Sequence, residues 1–130
     1  METSKKELFH SIKEIILQAR QRVFRMVNSS LLDTYWQVGR LIVEDEQGGS
    51  VRAEYGENVL KELARELTEE FGKGFDYTNL TYMRKFYLAF SNLDTLRQEL
   101  SWSHYRLLSR LDSEEKRLYY LNESIANNRQ

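Results

Sequence analysis

The chain has 130 residues, of which 41% are hydrophobic and 12% aromatic, and its formal net charge is −1. This composition excludes a mainly disordered tail and a protein held to nucleic acid by bulk positive charge alone. The sequence has no cysteine for a disulfide or a thiolate metal site, no signal peptide and no apolar run that could span a membrane, so we expect a cytoplasmic protein without membrane contact.

The first predicted element is a long amphipathic helix. Apolar residues recur at steps of three and four over residues 8–42, which is the period of an α-helix, and the pattern continues to Glu44. One helix of about 40 residues would far exceed the usual mean of about 11–12. A bend at residues 28–30 is the alternative, because Asn and Ser are poor in helix interiors. Residues 46–50 are predicted to be a loop, with a small hairpin around residues 46–55 as an alternative.

A second and a third helix are predicted on either side of a glycine turn. The second covers residues 54–71, and Gly72 stands where a C-cap glycine belongs. The third begins near Tyr77, with Asp76 or Thr78 as its N-cap. Two helices joined in this way are typical of a helix-turn-helix, whose second helix can enter a DNA groove. An ordinary αα-hairpin with a polar outer face is the alternative.

Two shorter helices complete the chain. Ser101 is a plausible N-cap for a helix through Arg110. Asp112 is followed three residues later by Glu115, which predicts a capping box at the start of the last helix.

The fold class is predicted from what these elements share. No segment alternates apolar and polar residues over a sustained length, which argues against strands. We therefore predict an all-α fold in a single domain of residues 1–130: a helical bundle with a long N-terminal helix and a helix-turn-helix-like hairpin. Trp36 and Gly39 predict a close helix-packing contact. The long helix cannot bury its whole stripe against the remaining residues, so we expect a homo-oligomer, unless shorter helices wrap it.

The predicted hairpin lies at the start of a basic part of a near-neutral chain. Residues 31–71 carry four basic and ten acidic groups, a balance of −6, whereas residues 72–111 carry six and three, a balance of +3. Double-stranded DNA is the partner that this distribution allows, since Asn and Arg have bidentate geometries for adenine and guanine and cations contact phosphate. The candidate DNA-binding residues are Lys73, Asn79, Thr81, Tyr82, Arg84, Lys85, Arg106 and Arg110. The aromatic residues Phe86, Tyr87 and Phe90 are predicted to be core.

The sequence shows no catalytic constellation. His10 and His104 are far apart, and neither Ser101 nor Ser103 sits in a glycine elbow. The string at residues 114–116 resembles half of a PD-(D/E)XK nuclease motif, but it lies at a predicted helix start instead of on a strand. No P-loop or dinucleotide fingerprint occurs. We therefore predict a non-enzymatic chain with no catalytic residue, no cofactor and no metal site.

Three strings occur in the order seen in one bacterial family. They are ARQRVFRMVNSSLLDTYWQVGRLIVE, AEYGENVLKELARELTEEFGKGFDYTNLTYMRKFYLAF and LSWSHYRLLSRL. They resemble the N-terminal domain of the YhcG-type proteins, in which an all-helical domain precedes a C-terminal PD-(D/E)XK nuclease domain. The resemblance covers residues 7–125. The catalytic carboxylates and lysine of that family belong to the other domain and have no counterpart here.

The resemblance implies an N-terminal module, separated here from its nuclease domain, which is then its natural partner. Our leading expectation is a non-catalytic module that binds DNA or positions the nuclease on its target through the helix-turn-helix-like segment. The alternative is a protein-interaction or dimerisation module in which the long first helix is the working surface.

Overall fold

The computed structural model describes residues 2–48, 52–97 and 99–128. Within these ranges the chain forms helices and two short 3₁₀ turns, and no strand, so the predicted all-α fold is confirmed. The helices are α1 (Glu2–Gly48), α2 (Arg52–Phe71), α3 (Tyr77–Ala89), α4 (Trp102–Leu108) and α5 (Glu114–Asn128), and the 3₁₀ turns are Lys73–Phe75 and Leu93–Thr95.

Helix α1 is continuous for 47 residues. The alternative of a bend at residues 28–30 is wrong, because Asn28 uses its side chain outside the helix: Nδ2–H donates to the Leu100 carbonyl oxygen at 2.8 Å. An Asn that bonds a distant backbone group does not compete with the helix's own hydrogen bonds. The alternative to the predicted loop was a small hairpin around residues 46–55. Residues 46–48 and 52–55 are helical instead, and residues 49–51 lie outside the described residues. The loop predicted at residues 46–50 is therefore wrong at residues 46–48, which belong to α1.

Helices α1 and α3 approach each other backbone to backbone. A Cβ atom added at Gly39 would lie 2.1 Å from the Met83 carbonyl oxygen, a distance that no side chain can occupy. One turn earlier, the Trp36 indole Nε1–H donates to the Phe90 carbonyl oxygen at 2.7 Å. The close packing predicted at Trp36 and Gly39 is confirmed, and it fixes α3 on the C-terminal half of α1.

An aromatic cluster joins α3 to α4. The Phe86 side chain is fully buried. Its ring centroid lies 5.1 Å from that of Trp102 and 5.2 Å from that of Tyr105. Burial raises the pKa of the Tyr105 hydroxyl, although hydrogen bonds with the Arg97 backbone oppose the shift. The prediction that Phe86, Tyr87 and Phe90 form core is confirmed, since Tyr87 and Phe90 are half-buried and pack against the same cluster as Phe86.

The capping residues of the last two helices were predicted with mixed success. Ser101 is the N-cap of α4 as expected, and its N–H donates to His104 Nδ1 at 3.2 Å. The capping box predicted at Asp112 is wrong, because the Lys116 backbone N–H donates to the Ser113 hydroxyl at 3.3 Å. Helix α5 therefore begins one residue later than that box requires, and the Asp112 carboxylate contacts Lys116 Nζ at 3.7 Å instead.

Candidate nucleic-acid interface and an exposed helical arm

The turn between α2 and α3 has the chemistry that the sequence predicted. Gly72 has a φ of 97°, a backbone conformation that residues with a Cβ rarely adopt. Its N–H donates to the Thr68 carbonyl oxygen at 2.9 Å, which ends α2. Asp76 caps α3, because its Oδ1 accepts a hydrogen bond from the Asn79 backbone N–H at 2.8 Å. Lys73 lies exposed in the 3₁₀ turn between them.

The outer face of α3 carries fewer of the candidate residues than expected. Lys85 is exposed, and Thr81 lies one turn before it on the same face. The Thr81 hydroxyl donates to the Tyr77 carbonyl oxygen at 2.9 Å, so its hydrogen is already used. Asn79 is half-buried and lies about 120° around the helix from Lys85, by the angular step of an α-helix. Asn79 therefore points away from the face that Lys85 presents.

Arg84 is bound to the end of α1. Its Nε lies 2.7 Å from Glu46 Oε1, and the side chains of Arg84 and Glu46 are 34% and 18% exposed. A carboxylate at this distance neutralises most of the guanidinium charge and fixes its orientation. Arg84 and Lys85 are adjacent in the sequence, but their side chains thus lie on different surfaces of the protein. The sequence near Arg84 gives no indication of its ion pair with Glu46, because Glu46 is 38 positions away.

Tyr82 and Arg106 bring α3 and α4 together at the surface. The Arg106 guanidinium carbon lies 4.8 Å from the centroid of the Tyr82 ring, a cation–π contact between the two helices. Arg110 is exposed in the turn that follows α4. We call Tyr82, Lys85, Arg106 and Arg110 the basic face. Four of the eight candidate residues therefore lie on α3, on α4 and in the turn after α4, and the contact of Arg106 with Tyr82 joins the two groups.

The N-terminal half of α1 forms a second exposed feature, which we call the arm (residues 4–27). Every side chain in it is exposed apart from Ala19, which is half-exposed. Large apolar side chains are included: Ile15 is 65% and Met26 71% exposed. One side of the arm, which we call the apolar stripe, is formed by Leu8, Phe9, Ile12, Ile15, Ile16, Ala19, Val23, Met26 and Val27.

The apolar stripe faces away from the bundle. At 100° per residue it lies on the opposite side of α1 from Leu32, Trp36 and Gly39, which pack into the core. The helix is therefore amphipathic in both halves, but the two apolar sides do not align. The sequence pattern predicted the helix and its apolar period, yet it did not reveal this change of side.

Comparison with known proteins places the chain in a family. A family model described as the DUF1016 N-terminal domain matches residues 11–129. The chain belongs to the DUF1016 N-terminal domain family. The resemblance to YhcG-type proteins is confirmed, since 88 residues are 39% identical to the Escherichia coli (strain K12) protein named "Putative nuclease YhcG". That match covers 68% of this chain and 24% of the relative, so this DUF1016 N-terminal domain spans about a quarter of the relative's length. No solved structure matches it significantly.

Two kinds of site are absent from the described residues. In residues 2–48, 52–97 and 99–128, no helix is both long and apolar enough to cross a membrane. The same ranges contain no group of three or more histidine, aspartate or glutamate side chains placed to hold a metal ion.

Proposed function

We propose that this chain is a DNA-binding module that positions a nuclease, and that it binds duplex DNA through the basic face. The contact of Arg106 with the Tyr82 ring carries the proposal, because it holds a cation of α4 against α3, the helix that also carries the exposed Lys85. Lys85, Arg106 and Arg110 would contact phosphates, while Thr81 and Tyr82 lie where α3 can meet a groove. Lys73 adds a phosphate contact from the turn.

Asn79 and Arg84 take a smaller part in this proposal. Asn79 is half-buried and Arg84 is bonded to Glu46. Either residue reaches DNA only after a change of side-chain conformation, and Arg84 must first leave a carboxylate. The centre of the proposed interface therefore lies at Lys85 and Arg106, instead of at Arg84 and Lys85.

The name of the relative supports the link to a nuclease. We propose that this chain acts as a single non-catalytic N-terminal module in the cytoplasm, and that the catalytic groups belong to a C-terminal nuclease domain. The match covers 24% of the length of a relative named as a putative nuclease, which supports this division. The module would bring DNA to that domain, since affinity from a few phosphate contacts needs no reaction chemistry of its own.

Duplex binding at two salt concentrations tests the DNA proposal. For Lys85→Ala and Arg106→Ala we expect weaker binding and a slope of log affinity against log salt that is shallower by about one unit each. Arg84→Ala should change the slope less, because Glu46 already neutralises that charge. Arg22→Ala is the matched control, an exposed arginine on the arm whose loss changes the net charge equally. Equal losses in Arg22→Ala, or no wild-type binding at low salt, would contradict the proposal.

A second function, association through the arm, is favoured by the exposed apolar stripe. We propose that the stripe packs against a helix of another polypeptide, either a second copy, as the sequence predicts, or a different protein. Ile15→Glu with Val23→Glu places two charges on the stripe at exposed positions, so the fold should be kept. Sedimentation of the 15.6 kDa chain, alone and with a helical probe, should show a complex that the double variant loses. A wild-type chain that stays monomeric and binds no helix would rule this function out.

A further inference from the structure

The apolar stripe is large enough to be an interface. Its nine side chains together expose on the order of 1,000 Å², whereas the largest apolar patch on a typical monomer measures about 300–600 Å². One side of a stable protein–protein interface buries about 800 Å². The stripe also faces away from the bundle, so the described helices of the same chain do not cover it.

The form of the stripe fits a helix. It runs from Leu8 to Val27, which at 1.5 Å per residue is about 28 Å along one side of an uninterrupted helix. Its residues recur at steps of three and four, the spacing that lets the side chains of two helices interdigitate. A partner helix of about five turns would cover it from end to end.

The positive charge of the arm indicates which kind of partner helix it can bind. Residues 4–27 carry six basic and two acidic groups, a balance of +4. Lys6, Lys13 and Arg20 recur every seven residues, so they line one flank of the stripe at the positions where paired helices exchange ion pairs. The two carboxylates, Glu7 and Glu14, lie on the far side of the helix from the stripe.

A second copy of the arm is a poor occupant for this reason. In an antiparallel pair the flank with Lys6, Lys13 and Arg20 would face the same flank of the other copy, and like charges would repel. In a parallel pair it would face Ser11 and Gln18, which occupy the corresponding positions of the opposite flank. Neither arrangement gives the three cations a carboxylate.

Helix α2, the acidic region of this chain, is not a suitable partner for the apolar stripe either. The carboxylates of α2 lie on its wet side, at Glu62, Glu66 and Glu69, and are exposed. The apolar side of α2, however, is packed into the chain at Leu60 and Ala64. Helix α2 of a second copy therefore offers carboxylates without an apolar seam.

We infer that the arm binds an acidic amphipathic α-helix of a partner protein. The partner's apolar seam covers the stripe, and its glutamate or aspartate side chains face Lys6, Lys13 and Arg20. This inference rests on the second function proposed above and names its partner.

Designed peptides test the inference with the full chain. The probe is a fluorescent peptide of three heptads with Leu at the two seam positions of each heptad and Glu at the flanking positions, where mutual repulsion keeps it from pairing with itself. Matched peptides carry Gln or Lys at the flanking positions. By fluorescence anisotropy, the Glu peptide should bind at least tenfold more tightly than the Gln peptide, and the Lys peptide should bind least.

Two charge-matched triple variants locate the binding surface. Replacing Lys6, Lys13 and Arg20 by Gln should weaken binding of the Glu peptide about tenfold, in line with three flanking ion pairs. Replacing Lys73, Lys85 and Arg110 by Gln removes the same charge from the α3 and α4 side and should leave peptide binding unchanged. Ile15→Glu with Val23→Glu should abolish it while the helical circular dichroism signal is kept.

Four outcomes would overturn the inference. They are equal binding of the Glu and Gln peptides, equal loss in the two triple variants, preferential binding to vesicles of phosphatidylserine and phosphatidylcholine, and no peptide binding. If the peptide fails but sedimentation shows a dimer that the stripe variant loses, association through the arm survives and only the acidic partner is wrong. If neither complex forms, both fail.

Discussion

Gly39→Ala is expected to lower the free energy of unfolding by about 3 kcal/mol, at the upper end of the cost of overpacking a core. The added Cβ atom would lie 2.1 Å from the Met83 carbonyl oxygen and 2.8 Å from its carbonyl carbon. Both are backbone atoms of α3, so no side-chain rotation relieves the clash. Helices α1 and α3 must move apart, which also loosens the contacts around Trp36. Urea unfolding followed by circular dichroism measures the loss.

Gly48→Ala is the matched control for this prediction. Both glycines lie in α1, but an added Cβ at Gly48 meets no atom within 4 Å. Alanine is favoured over glycine in helices by up to about 1 kcal/mol, so the control should be as stable as wild type or slightly more so. If Gly39→Ala unfolds at the wild-type urea concentration, the backbone contact of α1 with α3 is wrong.

The position of Gly39 links the two proposed surfaces. Helix α1 carries the arm at one end and holds α3 at the other, and α3 carries Tyr82 and Lys85. A displaced α3 should therefore weaken DNA binding, because Tyr82 would leave Arg106. The arm extends beyond the contact with α3, so acidic-peptide binding should persist in Gly39→Ala wherever the variant is folded.

The elements of the fold could be predicted from the sequence because their signals are local. The positive φ of Gly72, the Asp76 cap and the three-and-four spacing of α1 each depend on residues within a turn or two. The cap of α5 shows the limit of such signals, since Asp112 and Ser113 both suit an N-cap and Ser113 holds it. Local chemistry thus predicts that a helix starts here, but it leaves the first residue uncertain by one position.

The candidate site could be predicted only in part, because its geometry is non-local. The identity of the cations on α3, on α4 and in the turn after α4 followed from composition and position. The pairing of Arg84 with Glu46 and the stacking of Arg106 on Tyr82 did not, since they join residues far apart in the chain. Helical spacing could have shown that Asn79 and Lys85 lie on different sides of α3.

Phe86→Ala is expected to cost about 3–5 kcal/mol of unfolding free energy, the usual cost of removing a buried aromatic ring. The Phe86 side chain is fully buried, and its ring lies 5.1 Å from Trp102 and 5.2 Å from Tyr105. The cavity would remove the ring contacts that hold α4 against α3. Chemical denaturation measures the cost, and Leu88→Ala, 49% exposed on the same helix, should change stability by no more than about 0.5 kcal/mol.

A milder variant separates this structural role from the DNA-binding role. Phe86→Leu keeps an apolar side chain in the core but loses the ring contacts, so it should be less destabilised than Phe86→Ala. Tyr105 precedes Arg106 directly, and a shift of the Tyr105 ring should therefore move the Arg106 guanidinium off Tyr82. Folded Phe86→Leu should then bind duplex DNA more weakly than Leu88→Ala does. Wild-type DNA affinity in Phe86→Leu would have one of two explanations. Either the Arg106–Tyr82 contact does not depend on this core, or the basic face is not the DNA-binding surface. The salt slope of Arg106→Ala would distinguish the two, because it stays shallower than wild type only if Arg106 contacts DNA.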